Sequence, residues 1–385
     1  YEITYGNWSS DVCSSDLTGD FGLTNELFVV GPVSGTDFGA GSVAEDLNGI
    51  FEIAYLTGGS GANTFLIGDR DGTVNVAGVA HKVTGWTGTA YIDPGAGDDL
   101  IQVELTKSTG MAVHVSSSVG NDKLVVWGTT SPDDLIVDTV AAPPTGTGSS
   151  RIRRVAFDAV GTMTTLATIT HDGAELVELR TLAGADRIAI RDIGVEHQVF
   201  GGDNNDQIAV GSNAAGAGTT SSVWSNANGT VNGITAPLLI DGGTGTLDRV
   251  TVDDSADTAA NAGELTATRL TGLGMVATDT GRAGITYSGI EALGVALGSG
   301  ADTFVIHSTH TGSTSLTTGG GADLVRIRTV SGPLSVDTGA GDDTIRVSDD
   351  GVGGDSIGGV TSGIGAPLTL TGGAGTDTLY VDDAV

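Results

Sequence analysis

A short pattern recurs along this chain: Gly-x-Gly-x-Asp, then one residue, then an apolar one. Full copies are Gly95-Ala96-Gly97-Asp98-Asp99, Gly298-Ser299-Gly300-Ala301-Asp302, Gly319-Gly320-Gly321-Ala322-Asp323, Gly339-Ala340-Gly341-Asp342-Asp343 and Gly373-Ala374-Gly375-Thr376-Asp377. Degenerate copies centre on Asn63, Asp122, Asp186 and Asp206, and another at Asp248 carries one extra residue, Leu247. Asp302 to Asp323 is 21 residues, while Asp323 to Asp343 and Asp186 to Asp206 are 20 each. Asp99 to Asp122 is 23, and Asp343 to Asp377 is 34 because a Gly-rich insertion surrounds Gly351-Val352-Gly353-Gly354-Asp355. A unit of about 20 residues with loops inserted at one corner describes stacked repeats, each too small to bury a core alone.

Within a unit, Thr344-Ile345-Arg346-Val347 and Pro367-Leu368-Thr369-Leu370-Thr371 alternate apolar and polar residues, as a half-buried strand does. Ser331-Gly332-Pro333 reads as the polar reversal between two strands. No stretch shows a convincing helical period, and Ala259 to Leu270 comes nearest. The expected fold is all-β: a parallel β-solenoid with coils of about 20 residues and inserted loops.

Longer repeats lie on top. Residues 285–291 leading to Asp302 match residues 169–175 leading to Asp186 at an offset of 116, and Gly233-Ile234-Thr235-Ala236-Pro237-Leu238 matches Gly363-Ile364-Gly365-Ala366-Pro367-Leu368 at an offset of 130. Three solenoid modules are expected, at 23–150, 151–265 and 266–385. The last is expected to stop mid-repeat, since Val381-Asp382-Asp383 corresponds to Val252-Asp253-Asp254, so the chain reads as a fragment of a longer parent. Residues 8–17 resemble the in-frame translation of a sequencing adapter, and residues 1–22 are set aside from fold reasoning. Cys13, the only cysteine, lies there, so neither a disulfide framework nor a thiolate metal site is available elsewhere.

Composition supports this and excludes much else. Gly makes up 63 of 385 residues, and only ten of the 47 acids are Glu, a balance that favours turns over helices. No apolar run is long enough to span a membrane. A formal charge of −31 would repel phosphate backbones over most of the surface, which argues against nucleic-acid binding.

Glycine serves where the backbone takes positive φ or where carbonyls converge, and Asp places a short carboxylate beside them. Stacked at a strand spacing of about 4.8 Å, Asp302, Asp323 and Asp343 would form a column of like charges that a hard cation with oxygen ligands would neutralise. Ca²⁺ suits that donor set. The candidate metal site residues are Gly95, Gly97, Asp99, Asp122, Asp186, Asp206, Gly298, Gly300, Asp302, Gly319, Gly321, Asp323, Gly339, Gly341, Asp343, Gly373, Gly375 and Asp377. The alternative at each is a tight turn in which Asp bonds backbone.

Residues 372–380, Gly-Gly-Ala-Gly-Thr-Asp-Thr-Leu-Tyr, resemble the nonapeptide of haemolysin-type (RTX) calcium-binding repeats at every defined position. That resemblance implies Ca²⁺ between stacked Gly-rich turns and a strand in the remainder of each unit. The longer units are similar to those of giant bacterial surface and secreted repeat proteins. The likeness covers most of residues 47–385, with one departure: nonapeptides run in tandem in that family, whereas single copies here are separated by about a dozen residues, which suggests a one-sided ion ladder.

Other constellations are weaker. His307 and His310 have an H-x-x-H spacing; Asp253, Asp254 and Asp257 read as a solvated acidic loop or an ion site; Arg151, Arg153 and Arg154 form the only basic cluster in sequence and are expected to pair with the acidic surface. The expected function is a non-enzymatic, calcium-binding segment of a large secreted or surface-attached bacterial protein, a spacer or adhesin stalk. Its expected partners are calcium ions, a cell-surface or matrix polysaccharide and the adjoining repeats of its parent. The rivals are a polysaccharide-active parallel β-helix enzyme, which would need one unique acidic cluster, and a metal-free ligand-binding face, which would need Thr in register on several coils.

Overall fold

The computed structural model describes residues 88–105, 110–116, 119–140, 149–275, 284–349 and 359–383, together with Ala62 and strand segments between residues 27 and 83. The adapter-like segment, Cys13, Asn63 and the insertion at 351–355 lie outside the described residues. Every regular element described is a strand, mostly in parallel pairing within two long sheets. Accordingly, no helix of the described residues is long and apolar enough to cross a membrane.

Contacts divide the chain into two compact units: residues 1–127, 142–149 and 165–176, and residues 128–141, 150–164 and 177–385. In the first, Leu27–Gly31, Thr64–Ile67, Leu100–Glu104 and Lys123–Trp127 pair successively in parallel. Ile53–Thr57, Thr89–Asp93, Met111–Val115 and residues 167–171 do the same in the other sheet.

The second unit shows the repeat most clearly. From Ser313 onward, consecutive strands alternate between the two sheets, and each pairs with the strand two before it. Thr303–Ile306, Leu324–Ile327, Thr344–Val347 and Thr378–Val381 follow one another in one sheet. Ala292–Ala296, Ser313–Thr317, Leu334–Asp337 and Leu368–Thr371 follow in the other. Register is one-for-one, so Phe304, Val325 and Ile345 stay on the buried face while Val305, Arg326 and Arg346 stay outside. The period-2 pattern thus becomes a half-buried strand, and a slip by one residue would expose every apolar side chain. Two short strands enclose a core of Val, Ile and Leu, which accounts for the few aromatics.

Arg187–Ile190 and Gln207–Val210 are buried more heavily than this pattern gives. Residues 211–236 fold back there: Ala214 and Ala215 join Ile136, Val155, Ala189 and Ala209, with Phe157 and Trp224 packed against them. Arg191 fixes the loop through Nε to the Ala214 carbonyl at 2.8 Å.

No helix forms at 259–270. Ala262–Leu265 and Arg269–Gly272 are an antiparallel pair, closed by Thr266 N–H on the Arg269 carbonyl at 2.8 Å. The intervening Thr-Ala-Thr suits a tight turn, and Gly263 packs beneath Phe304, where a side chain would collide.

Candidate functional site

The Asp that opens most of these repeats is almost wholly buried, with Asp186 and Asp206 0% exposed, Asp343 1% and Asp323 2%, whereas Asp377 in the last described repeat is exposed. Each uses its carboxylate on the neighbouring repeat. Asp323 N–H donates to Asp343 Oδ1 at 2.9 Å, Asp302 N–H to Asp323 Oδ1 at 2.8 Å, and Asp343 N–H to Asp377 Oδ1 at 3.2 Å. In return, the carbonyl of Asp323 accepts from Thr344 N–H and that of Asp302 from Leu324 N–H, both at 2.8 Å. The side chain therefore continues the parallel ladder for one rung beyond the strand.

Among the described residues, three such ladders are present. The first unit holds Asp99, Asp122 and Glu175: Asp99 N–H donates to Asp122 Oδ1 at 3.0 Å, and Asp122 N–H to Glu175 Oε2 at 2.7 Å. The second unit holds Asp133, Asp186, Asp206, Asp248 and Glu291, linked at 2.7, 2.8, 2.7 and 2.7 Å in that order. It also holds Asn261, Asp302, Asp323, Asp343 and Asp377, where Asn261 N–H donates to Asp302 Oδ1 at 2.7 Å. All the Asp positions singled out by the motif, Asp99, Asp122, Asp186, Asp206, Asp302, Asp323, Asp343 and Asp377, belong to one of these ladders.

The glycines stack backbone on backbone. Gly339 and Gly341 have φ of 81° and 144°, and a Cβ on either would collide with the carbonyl oxygen of Gly319 or Gly321 in the turn before. The same superposition recurs from Gly373 and Gly375 onto Gly339 and Gly341. Gly95, Gly97, Gly319 and Gly321 also have positive φ, whereas Gly298 and Gly300 are needed for close approach alone, to the carbonyls of Asp257 and Ala259. Several turn carbonyls accept from the neighbouring turn, as Gly319 does from Ala340 N–H at 3.0 Å and Gly339 from Ala374 N–H at 2.7 Å.

These contacts satisfy one oxygen of each carboxylate. The second oxygens of Asp186, Asp206, Asp248 and Asp343 are buried without a hydrogen-bond partner. Asp323 differs, since Thr318 Oγ1 donates to its Oδ2 at 2.5 Å. Burial pushes the carboxyl of Asp186 up to about 8 and that of Asp206 up to about 7, and raises those of Asp248, Asp302 and Asp323 as well. An uncompensated buried carboxylate costs several kcal/mol, so each of these groups must either hold a proton or meet a counter-charge. Among the described residues, no three or more His, Cys, Asp or Glu converge as a metal-holding group. Each repeat supplies one carboxylate plus backbone carbonyls, a donor set of hard oxygens that fits Ca²⁺ rather than a softer ion.

Sequence reasoning missed several members. Asp133 follows Ser131-Pro132 with no Gly-x-Gly before it, and Asn261 lacks the carboxylate. Glu175 and Glu291 close their ladders where the turn is different, and the extra methylene lets Oε2 reach the same N–H. Their signal was present, because both stand at the same place in the 116-residue repeat. Buried Thr181, Thr318 and Thr338, five residues before their Asp, were also missed; Thr338 Oγ1 donates to the Gly372 carbonyl at 2.9 Å.

The weaker constellations resolve differently from expectation. Arg153 and Arg154 are buried, not spread over an acidic surface: Arg151 and Arg153 meet Asp138 at 2.8 and 2.6 Å, and Arg154 meets Asp133 at 2.6 Å. Asp253 and Asp254 are also buried, not solvated, and hold the inserted loop by accepting from Gly229 N–H at 2.6 Å and Val231 N–H at 3.0 Å. Asp382 and Asp383 do the same for Gly359 and Thr361, so the pair belongs to the long repeat. Asp257 accepts from Ala259 N–H at 2.8 Å. His307 contacts Arg328 and Glu264, whereas His310 packs edge-on against Tyr287, so the two rings are engaged separately. Hydroxyls do fall in register on one outer face, at Thr251, Ser315, Ser335 and Thr369, with Gly294 interrupting the row between the first two.

A scan against protein-family models finds no match, and a search of curated proteins finds no significant relative.

Proposed function

We propose that the chain is a calcium-stabilised parallel β-solenoid, a non-enzymatic structural segment of a larger secreted or surface-attached protein that serves as a spacer or stalk. The observation that carries this reading is the column of buried acids whose second oxygens, on Asp186, Asp206, Asp248 and Asp343, lack partners. Alternation of strands between two parallel sheets, with the same turn recurring above itself, supports the solenoid. The acids are distributed one per repeat and spent on backbone N–H groups, which suits a scaffold better than a catalytic centre. The similarity of residues 372–380 to the haemolysin-type nonapeptide supports the choice of ion.

In this reading, Ca²⁺ would be held by the second carboxylate oxygens of the ladder Asp residues and by carbonyls of the Gly-x-Gly turns around 319–321, 339–341 and 373–375. When bound it supplies the positive charge that the column lacks. Ligands come from successive repeats, so affinity for the ion becomes folding free energy.

Thermal melting of the whole chain in calcium and in excess chelator tests the proposal. The expected result is a markedly lower melting temperature in chelator, restored by Ca²⁺ and much less by Mg²⁺. Asp343→Asn should weaken calcium affinity in isothermal titration, because it removes charge while keeping an acceptor for Asp323 N–H. Equal melts with and without the ion, or parental affinity in Asp343→Asn, would sink the calcium reading.

A further inference from the structure

The outer face formed by Thr303–Ile306, Leu324–Ile327, Thr344–Val347 and Thr378–Val381 gathers basic side chains that the sequence keeps about twenty residues apart. Phe304, Ile306, Val325, Ile327, Ile345 and Val347 point into the core. Alternation therefore places Arg326, Arg346 and Tyr380 in one outward row, directly opposite one another. Arg328, two residues beyond Arg326, shares the face, with Nη1 3.1 Å from His307 Nδ1. Glu264 lies at the margin, its carboxylate 3.6 Å from His307 Nε2 and its side chain 64% exposed.

This grouping differs from the arginines at 151–187. Elsewhere in the second unit Arg151, Arg153, Arg154 and Arg187 each meet an aspartate. Arg326 has neither a hydrogen bond nor an ion pair among the described residues, and its Nε is buried without a partner. Like charges set directly opposite on neighbouring strands destabilise a sheet, so the Arg326–Arg346 juxtaposition is carried by the fold at a cost. Arg346 is held with its guanidinium 4.7 Å from the centroid of the Tyr380 ring, a cation–π contact that flattens it against the face.

We propose that Arg326, Arg328 and Arg346 form a binding face for an anionic polysaccharide carrying carboxylate or sulfate groups at a regular repeat. Charge complementarity gives the sign of the ligand, and the planar guanidinium fork gives its chemistry, since it pairs bidentately with carboxylate or sulfate. Placement at successive strands gives its form. Positive groups set one strand apart, about 4.8 Å, match a linear polymer with acids at fixed intervals better than a single small anion. The face rests on parallel register and not on calcium, so it goes beyond the spacer reading and stands or falls separately.

The test uses the whole chain in calcium buffer at physiological salt, with polygalacturonate, dextran sulfate and neutral dextran immobilised as probes. The parent should bind both charged polymers and not the neutral one. Arg326→Gln combined with Arg346→Gln should weaken binding about tenfold, or about 1.4 kcal/mol, with unchanged circular dichroism. Arg249→Gln, exposed on the other sheet, should leave binding unchanged. If the double variant misfolds, Arg326→Lys keeps the charge but loses the fork, and should weaken binding about threefold. The proposal is overturned if the parent fails to bind, if it binds dextran equally, or if the folded double variant keeps parental affinity. Preference for single-stranded DNA over both polymers overturns it too, as does sedimentation showing that the face joins two copies of the chain.

Discussion

Two carboxylate ladders in the second unit make the same hydrogen bonds from different sequences. The one through Asp302, Asp323, Asp343 and Asp377 carries full Gly-x-Gly-x-Asp copies, and it begins at a neutral residue, Asn261. The one through Asp186, Asp206 and Asp248 has lost much of the glycine pattern, begins at Asp133 paired with Arg154 and ends in Glu291. Leu182 and Asn204 stand where glycine is expected and nonetheless take φ of 71° and 80°. What persists is the buried acid that receives the preceding repeat's N–H. Glycine eases the turn, and the acid makes the rung.

The largest expected effect lies where the ladders start. Asp133 is buried and its Oδ1 takes Arg154 Nε at 2.6 Å, while Asn261 needs no such partner. Arg154→Met should therefore cost about 3–5 kcal/mol, because it leaves a buried carboxylate without its counter-charge, held only by the N–H and hydroxyl of Thr129. Adding Asp133→Asn should recover most of that loss by making the first ladder start as the second does. Urea titration of the two single variants and the double variant gives the coupling. Additive losses would show that Arg154 acts through packing alone.

The second contrast is in protonation. Asp186 and Asp206 are pushed up by burial to about 8 and about 7, from an ordinary value near 4. A carboxyl raised in the folded state binds its proton more tightly there than in the unfolded chain. Without calcium, stability should therefore fall as pH rises from about 5 to about 8. Asp206→Asn should remove more of this slope than Asp323→Asn, whose second oxygen already has the Thr318 hydroxyl. Saturating calcium should flatten the slope, since the ion replaces the proton. Denaturation midpoints in chelator that rise across this range would break the comparison.

These contrasts also show what could be read from sequence. The 20-residue interval gave the parallel stacking, and the alternation at 344–347 gave the strand and its buried face. Asp99, Asp186, Asp206 and the four full motifs beyond residue 290 were legible because acid and glycine recur together. Asp133 was not, because an inserted pair of strands separates it from Asp186 by 53 residues and Thr129 and Ser131 stand where the glycines would. The hairpin at 262–272 was not legible, because its apolar residues carry no strong period of either kind, and tertiary packing of Gly263 on Phe304 decides it. Arg326 and Arg346 looked unrelated until register set them side by side.

A smaller effect separates turn strain from rung formation. Leu182 holds a left-handed φ that costs an L-residue about 1–2 kcal/mol. Its Asp186 rung forms regardless. Leu182→Gly should raise the urea midpoint by roughly 0.5–1 kcal/mol equivalent, after the added flexibility of the unfolded chain is subtracted. Gly339→Ala should lower it, since the new Cβ meets the Gly319 carbonyl. Equal and opposite signs would show that the two ladders differ in glycine and not in their carboxylates.

The smallest expected effect concerns the acid beside the rung. Asp342 precedes Asp343 but is exposed, and its Oδ1 accepts from Thr376 N–H at 2.8 Å. Asp98 stands in the same place before Asp99 and accepts from Asn121 N–H at 2.9 Å. These positions form an outer row of bonds between turns, parallel to the buried ladder and open to water. Asn retains the accepting oxygen, so Asp342→Asn should change stability by less than about 0.5 kcal/mol. Asp342→Ala should cost about 0.5–1 kcal/mol through the lost bond. Calcium affinity should be unaffected by Asp342→Asn if the ion is held by the buried oxygens, and weakened to the same extent as in Asp343→Asn if it is held at the turn surface. Titration of both variants beside the parent distinguishes these, and equal weakening would move the ion out to the exposed row.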